Sequence, residues 1–257
     1  MTDNRFLKLF LSFALLVAFI SGAVPQAVLA QSAAVQSTAD LDSALQRIEE
    51  KVESRRKELG IPGMSLVIVK DGKVVFMKGL GFKDFEKKIP VTPDTQFGIG
   101  SATKAFTALS MLMSVDEGKV NLDDSPRKYL PYFKMQDPET DKNMTVRDLM
   151  DHSSGLNRTD LAMVTERLTR PELIQVVGGA KPMAKLRERF FYNNVMFAAA
   201  GEIVAQTQKM PWEKFVPEHI FKPLGMDNST MDIPSMRKAK DYSLGYDFNF
   251  DTKETRL

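Results

Sequence analysis

The stretch FGIGSATKAFTALSMLM, residues 97–113, constrains the fold more than any other part of the chain. A glycine-broken turn there leads into a long apolar run. From Ala102 to Asp116, apolar side chains occupy nearly every side of a helix: Ala102, Ala105, Phe106, Leu109, Leu112, Met113 and Val115. A helix that is apolar all round is normally central and buried. We therefore predict a central helix here, with Lys104 enclosed near its beginning.

Ser101 and Lys104 form an S-x-x-K pair at the beginning of this helix. Residues at i and i+3 share a helix face with about 4.5 Å of axial offset, so the lysine can reach the serine hydroxyl. A serine becomes a nucleophile when a base takes its proton, and a lysine serves as that base once its pKa falls from about 10.4 towards neutrality. The alternative is an N-capping serine followed by a surface lysine. Because S-x-x-K is common by chance, the pair alone favours this alternative.

A second polar pair, Tyr192 and Asn194, lies near the beginning of the stretch FFYNNVMFAAAGEIVAQ, just before its apolar, helix-like part. At this position a phenol and a carboxamide can both project into a cleft. The structural alternative is a core tyrosine followed by an N-capping asparagine, and it is favoured if this pair is taken alone. The two motifs therefore have to be judged together.

The remaining sequence is typical of a helix, a hairpin and a long helical region. Apolar spacing predicts a helix over 38–60, followed by glycine and proline stop signals. MSLVIVK (64–70) and KVVFMKG (73–79) flank Asp71-Gly72, which predicts two strands around a two-residue turn. No comparable pair of strands is evident before about Ser243, and further helical segments are predicted at 146–150, 194–207 and 212–221.

Composition excludes several classes of function. The 257 residues, 43% of them hydrophobic, suffice for a full core. The net charge of +2 comes from 35 basic and 33 acidic residues without a basic block, so no nucleic-acid partner is implied. The chain has no cysteine, which excludes disulfides, cysteine catalysis and zinc–thiolate sites. Its two histidines have no suitable spacing to carboxylates, so we expect no metal and no cofactor.

The first thirty residues are typical of an export signal. Arg5 and Lys8 precede the apolar stretch LFLSFALLVAFI (9–20), and VLA (28–30) supplies small residues for a signal peptidase. We predict a signal peptide over 1–30, a mature chain from Gln31, no stable membrane span after cleavage, and a periplasmic or secreted bacterial protein. The alternative is an uncleaved anchor, but the apolar run is shorter than the roughly 20 residues of a spanning helix.

Four stretches, in this order along the chain, resemble the serine β-lactamase-like hydrolases, specifically the class C β-lactamase and D,D-peptidase-related branch of penicillin-binding proteins: DTQFGIGSATKAFTA, MTVRDLMDHSSGL, ERFFYNNVMFAAAGEIVAQ and PEHIFKPLGMDNST. The resemblance runs from about Leu41 to Met231. It implies an α/β (α+β) fold over 31–257, with an antiparallel sheet flanked by helices and an all-helical subdomain at about 96–230.

The resemblance also implies roles for the two polar pairs. Ser101 is then the residue that is acylated, and Lys104 shuttles its proton. Tyr192 assists that proton transfer, and Asn194 holds the lysine and the acyl side chain of the substrate. An S-D-N motif is replaced by Tyr192-Asn193-Asn194, which argues against a class A mechanism with a dedicated glutamate.

Other nucleophile arrangements fit less well. His152 is followed directly by Ser153 and Ser154, and adjacent residues cannot easily align a hydroxyl with an imidazole. Its match to the family's H-T-S-G-L loop implies a structural turn near the site. His219 is expected to be a packing or surface histidine. No G-x-S-x-G elbow is present, which argues against an α/β-hydrolase.

The predicted activity is that of an exported serine acyl hydrolase acting on a β-lactam, a D-amino-acid peptide or an ester, which the motifs do not separate. A non-catalytic penicillin-recognising or cell-wall-binding homologue, or an inactive fragment, is the alternative, and the oligomeric state is left open. The family's third motif, K-T-G or H-x-G, is absent from the sequence. We expect the C-terminal strands of the sheet to be missing and the gene to continue past Leu257. The hairpin residues Val67, Val69, Val74 and Phe76 are then expected to be poorly covered.

Overall fold

The computed structural model describes residues 25–159, 162–163, 167–249, 251–252 and 254–256, with side chains from residue 40 onward. The chain divides into two compact units. The first contains the described residues up to Thr95 and those from Ser243 onward, and the second is Gln96–Tyr242. Within the described residues, no helix combines the length and the apolar character that crossing a membrane requires. The apolar stretch on which the signal-peptide prediction rests, residues 9–20, lies outside them.

The first unit consists of a long helix and a small antiparallel sheet, α1 (Pro25–Glu58), β1 (Gly63–Lys70), β2 (Lys73–Asp84) and β3 (Ile89–Pro90), with strand order β1-β2-β3. The predicted two-residue turn is confirmed, since Asp71 and Gly72 both have positive φ (51° and 72°), as a type I′ turn requires. Residues from Ser243 onward return to this unit and form a second antiparallel pair, β4 (Asp247–Asn249) and β5 (Glu254–Arg256).

Arg56 joins the end of α1 to the sheet. Its side chain is almost buried, and its guanidinium donates hydrogen bonds to the carbonyl oxygens of Ile61 (2.6 Å) and Pro62 (3.0 Å). Its Nε donates to Glu53 at 2.6 Å, and this hydrogen bond lowers the pKa of Glu53 to about 2. The backbone of Gly81 lies against that of Pro62, and a Cβ atom at position 81 would lie 2.2 Å from the Pro62 oxygen. Only glycine, which has no Cβ, avoids this clash.

The hairpin exposes an apolar face within the described structure. The cross-strand pairs Val67–Met77 and Val69–Val74 have side chains that are 55–60% exposed. The prediction of poor cover is confirmed for the three valines and is wrong for Phe76, which is half-buried. The reason is a β-bulge: Ile68 pairs with Phe76 and Val69 with Val74, so one extra residue of β2 reverses the alternation, and Met77 takes the exposed position.

The second unit is helical. Its helices are α2 (Thr103–Asp116), α3 (Pro138–Asn143), α4 (Arg170–Gly178), α5 (Asn194–Gln208), α6 (Trp212–Val216) and α7 (Ile233–Lys238). Short 3₁₀ turns lie at Gly100–Ala102, Pro126–Lys128 and Arg147–Leu149, and a short π-helix lies at Pro217–Phe221. The helical segments predicted at 102–116, 194–207 and 212–221 are confirmed, and 146–150 is a 3₁₀ turn. Helices α3, α4 and α7 were missed, although each begins at an N-capping side chain (Asp137, Thr169 and Asp232).

Helix α2 is buried on one side only, so the prediction of burial all round is wrong. Its buried positions are Thr107, Ser110, Met111 and Ser114, whereas Leu109 and Leu112 are 41% and 47% exposed. The small hydroxyl side chains return their hydrogen bonds to the helix itself, from Ser110 Oγ to the Phe106 oxygen (2.7 Å) and from Ser114 Oγ to the Ser110 oxygen (3.0 Å). A serine hydroxyl that donates to its own helix can be buried, and hydropathy alone does not show this.

A buried carboxylate, Asp148, stabilises the helical unit. It is 1% exposed, and it accepts hydrogen bonds from Arg187 Nε and Nη2, both at 2.7 Å, and from the Thr145 amide (2.8 Å) and hydroxyl (2.7 Å). Burial alone would raise the pKa of Asp148, but these hydrogen bonds outweigh it and hold the pKa below its ordinary value. The carboxylate therefore contributes stability above its unfolded pKa, and this contribution is lost as the pH falls through the folded pKa.

We expect Arg187→Gln to lower the free energy of unfolding by about 2 kcal/mol at pH 7, because it removes a bidentate partner from a buried charge. Urea unfolding measures this change. Arg189→Gln is the matched control, since that side chain is 71% exposed, and its effect should stay within about 0.5 kcal/mol. The difference in the free energy of unfolding between the two variants should become smaller in acid, when Asp148 is protonated. Equal effects at pH 7 would contradict the prediction.

Candidate active site

The loop at His152 is bonded to the segment that carries Tyr192. The carbonyl oxygens of Gly155, Ser153 and His152 accept hydrogen bonds from the amides of Met183 (2.9 Å), Arg187 (2.8 Å) and Phe191 (2.9 Å), respectively. Gly155 has φ of +78°, and a Cβ atom there would lie 2.2 Å from the Ala184 oxygen. Glycine is therefore required for the loop to approach this closely. The predicted structural turn is confirmed.

Asn193 is the N-cap of α5. Its Oδ1 accepts hydrogen bonds from the amides of Val195 (3.0 Å) and Met196 (3.1 Å). Its Nδ2 donates to the Asn157 oxygen (2.9 Å) and to Thr159 Oγ1 (3.1 Å), so this fully buried carboxamide also holds the loop after His152. The interpretation of Asn194 as the cap is therefore wrong. Because Asn193 caps the helix, the side chain of Asn194 is available for another contact.

Ser101 lies in the 3₁₀ turn Gly100–Ala102, directly before α2, and its side chain is exposed. Lys104 Nζ is 3.2 Å from Ser101 Oγ, which confirms the contact predicted from the i, i+3 spacing. Neither helix beginning here has a side-chain cap, so Ser101 is not an N-cap. Lys104 is half-buried, and its ammonium donates to Asn194 Oδ1 at 2.6 Å. The interpretation as a capping serine with a surface lysine is therefore wrong.

Tyr192 completes the cluster. Its hydroxyl donates to Ser101 Oγ at 2.6 Å, and Lys104 Nζ lies 4.7 Å from the centroid of its ring. The Lys104 ammonium, and after it the Ser101 hydroxyl, lower the pKa of Tyr192 below its ordinary value of about 10. Structure thus brings together all four predicted site residues, Ser101, Lys104, Tyr192 and Asn194. Their catalytic roles stay predictions.

The arrangement places two titratable groups, a phenol and an amine, in contact with one serine hydroxyl. In the phenolate form, the Tyr192 oxygen can accept the proton of Ser101, and the neighbouring ammonium stabilises that form. Activation of a serine by an adjacent base is the requirement for nucleophilic catalysis. The chemistry that this geometry supports is attack of Ser101 Oγ on a carbonyl carbon.

Two residues of the site were not identified from the sequence. Asn193 was treated as a spacer between Tyr192 and Asn194, although an asparagine directly before an apolar helix is itself a capping signal. His152 was assigned only to a turn, whereas its ring centroid lies 4.3 Å from that of Tyr192. No local pattern predicts such a stacking contact, because it depends on the fold. His219 is exposed and stacks on Phe215, as expected for a surface histidine.

A mixed sheet-and-helix chain in which one serine hydroxyl contacts a lysine one turn later and a tyrosine has the arrangement expected of the serine β-lactamase-like class. A family model described as Beta-lactamase matches residues 48–253. The chain belongs to this family, as the sequence motifs indicated.

Three relatives illustrate the similarity. Protein flp of Staphylococcus aureus (strain MW2) is 32% identical over 210 residues, which cover 80% of this chain and 42% of the relative. A beta-lactamase of Psychrobacter immobilis is 30% identical over 223 residues, covering 85% and 54%. The structure of an octameric penicillin-binding protein homologue from Pyrococcus abyssi superposes with a TM-score of 0.73 at 32% identity, covering 82% of this chain and 50% of that one. The chain therefore spans about half the length of these relatives.

We expect Asn193→Ala to lower the free energy of unfolding by about 2 kcal/mol, because it removes the cap of α5 and leaves buried main-chain groups without partners. Asn193→Asp is the matched variant, since its carboxylate retains the capping acceptor and loses only the donor to the 157–159 loop. Thermal unfolding should therefore rank the aspartate variant between the wild type and the alanine variant. If the alanine variant proved as stable as the wild type, Asn193 would not have this role.

Proposed function

We propose that this protein is an exported serine hydrolase that acts through an acyl-enzyme on a β-lactam, a D-amino-acid peptide or a simple ester. The observation that carries the proposal is the position of Ser101 Oγ, 2.6 Å from the Tyr192 hydroxyl and 3.2 Å from Lys104 Nζ. The names of two relatives, a beta-lactamase and a penicillin-binding protein homologue, support β-lactams as substrates. The basic, then apolar, then small-residue pattern of residues 1–30 supports export.

The proposed reaction has two stages. Ser101 Oγ forms a bond to the carbonyl carbon while its proton passes to Tyr192, and the bond from that carbon to the leaving group breaks as the leaving group takes a proton from the Tyr192–Lys104 pair. Water then attacks the acyl-enzyme carbonyl and gives a proton to the same pair. The bond from that carbon to Ser101 Oγ breaks as Oγ takes this proton back, and the acid is released. Asn194 accepts a hydrogen bond from Lys104 Nζ at 2.6 Å and so holds the ammonium beside the tyrosine.

The proposal is tested by incubating the chain with a fluorescent penicillin and, separately, with p-nitrophenyl acetate. Intact mass measurement should show one acyl group per chain, and peptide mapping should locate it at Ser101. An adduct with penicillin but not with the ester would favour the β-lactam and D-amino-acid class. The absence of both an adduct and hydrolysis with either donor would refute the acyl-enzyme and favour a non-catalytic homologue, and an adduct on another residue would refute the assignment of Ser101.

The rate of acylation should fall as the pH is lowered, because the proposed base is the Tyr192 phenolate. The lowered pKa of Tyr192 means that the phenolate is favoured above a midpoint that lies below about 10, and is lost as the pH falls through it. The apparent midpoint belongs to the interacting groups together. A pH series of the p-nitrophenol burst measures it. Tyr192→Phe should abolish this fall in rate at low pH, whereas Tyr246→Phe, in the first unit, should retain it.

A further inference from the structure

His152 packs against the ring of Tyr192. The two ring centroids are 4.3 Å apart with an interplanar angle of 34°, and Phe190 and Phe197 enclose the imidazole at 5.2 Å and 5.1 Å. The side chain is 8% exposed. Its backbone has φ of +63°, an uncommon conformation for a residue with a side chain. A strained and buried residue in contact with a site residue suggests a role in the site.

His152 also holds the main chain on both sides of Tyr192. Its carbonyl oxygen accepts the Phe191 amide at 2.9 Å, and its Nδ1 accepts the Asn193 amide at 3.1 Å. The amides of the residues before and after the tyrosine are therefore both held by one residue, which also supports the face of the ring. With its backbone fixed at two points and its ring supported, the Tyr192 side chain has little freedom to leave Ser101.

The imidazole remains an acceptor at neutral pH. Burial, and after it the charge of Lys104, lower the pKa of His152 below its ordinary value. The neutral ring has an unprotonated Nδ1 to accept the Asn193 amide and carries its proton on Nε2. Within the described residues, the imidazole contacts the Asn193 amide and the aromatic rings around it, so His152 acts on Ser101 through another residue.

We propose that His152 is the positioning residue for the catalytic tyrosine: it holds the Tyr192 hydroxyl against Ser101 Oγ through the main chain on either side and through ring stacking. The inference rests on the proposed function and adds a residue to its machinery. Displacement of a reacting group by about 1 Å can cost about a hundred-fold in rate, so this support should be visible in acylation kinetics.

Two substitutions separate the parts of this role. His152→Asn places an amide oxygen where Nδ1 lies and tolerates a positive φ, so it retains the acceptor without the ring. His152→Phe retains the ring and loses the acceptor. We expect the phenylalanine variant to slow acylation by about a hundred-fold and the asparagine variant by about ten-fold or less, with the reversible affinity for substrate changed less than about three-fold. His219→Phe, at the exposed second histidine, is the control and should not change the rate.

A double-mutant cycle distinguishes positioning from general support of the fold. In a Tyr192→Phe background the hydroxyl is already absent, so adding His152→Phe should slow acylation by no more than about three-fold further. If the double variant slowed acylation by the product of the two single effects, the proposal would be overturned. Crystal structures of the two His152 variants provide a second measurement that does not require activity. The asparagine variant should retain the hydrogen bond from the Tyr192 hydroxyl to Ser101 Oγ, and the phenylalanine variant should lose it.

An unchanged position of the tyrosine in both variants would also overturn the proposal. If the wild-type chain formed no acyl adduct, the proposed function would fail, and the crystal structures would still decide whether His152 positions Tyr192. The two inferences are therefore refuted by different results.

Discussion

Ser101→Ala is expected to abolish every covalent acyl adduct, with no signal above background in intact mass measurement of chains treated with penicillin or an activated ester. The hydroxyl of Ser101 is the one held by both Tyr192 and Lys104 in the described site. The side chain is exposed and caps no helix, so the free energy of unfolding should change by only about 0.5 kcal/mol. Loss of labelling with retained stability would show that the hydroxyl is needed for acylation and not for folding.

Ser153→Ala is the matched control for this experiment. Ser153 is the serine beside His152, but its hydroxyl donates to Asp151 Oδ1 at 2.5 Å, and a carboxylate is a much weaker base than an amine or a phenolate. The variant should label like the wild type. An adduct that persisted in Ser101→Ala and disappeared in Ser153→Ala would reverse the assignment of the nucleophile.

Lys104→Arg is expected to slow acylation by about a hundred- to ten-thousand-fold while retaining the positive charge. Arginine does not give up its proton at accessible pH. Its planar fork also does not reproduce the lysine contacts, in which a single nitrogen lies 3.2 Å from Ser101 Oγ and 2.6 Å from Asn194 Oδ1. Stopped-flow measurement of the p-nitrophenol burst gives the rate.

Lys119→Arg provides the control for charge and side-chain length. Lys119 is exposed and donates to Gln208 Oε1, away from the candidate site, and its replacement should leave the burst rate unchanged. A fully active Lys104→Arg variant would show that the lysine contributes only its charge, and proton transfer would then have to be assigned to Tyr192 alone.

Local sequence patterns predicted those parts of the fold that local forces determine. The Asp71-Gly72 turn follows from the positive φ that both residues tolerate, and the apolar periodicity of α5 follows from its packing on α2. Short helices such as α3 were missed because a single turn contains too few residues to show a period. The exposed position of Met77 was missed because a β-bulge leaves no clear signal in the sequence of β2.

The candidate site divides in the same way. Ser101 and Lys104 lie one helical turn apart, so the sequence by itself determined that their side chains are within reach of each other. The same is true of the capping carboxamide before α5, although which of the two asparagines supplies it was decided by the backbone at Asn193, which is extended with φ of −135°.

Only the tertiary structure decided which residues distant in sequence contact Ser101 and Lys104. Tyr192 reaches Ser101, and Asn194 reaches Lys104, across about ninety residues of chain, because the packing of α5 against α2 brings their first turns together. The position of His152 beneath Tyr192 depends on the hydrogen bonds between two loops. Contacts between residues distant in sequence depend on how whole elements pack. Sequence spacing therefore determined which residues have the right chemistry, and packing determined which of them touch.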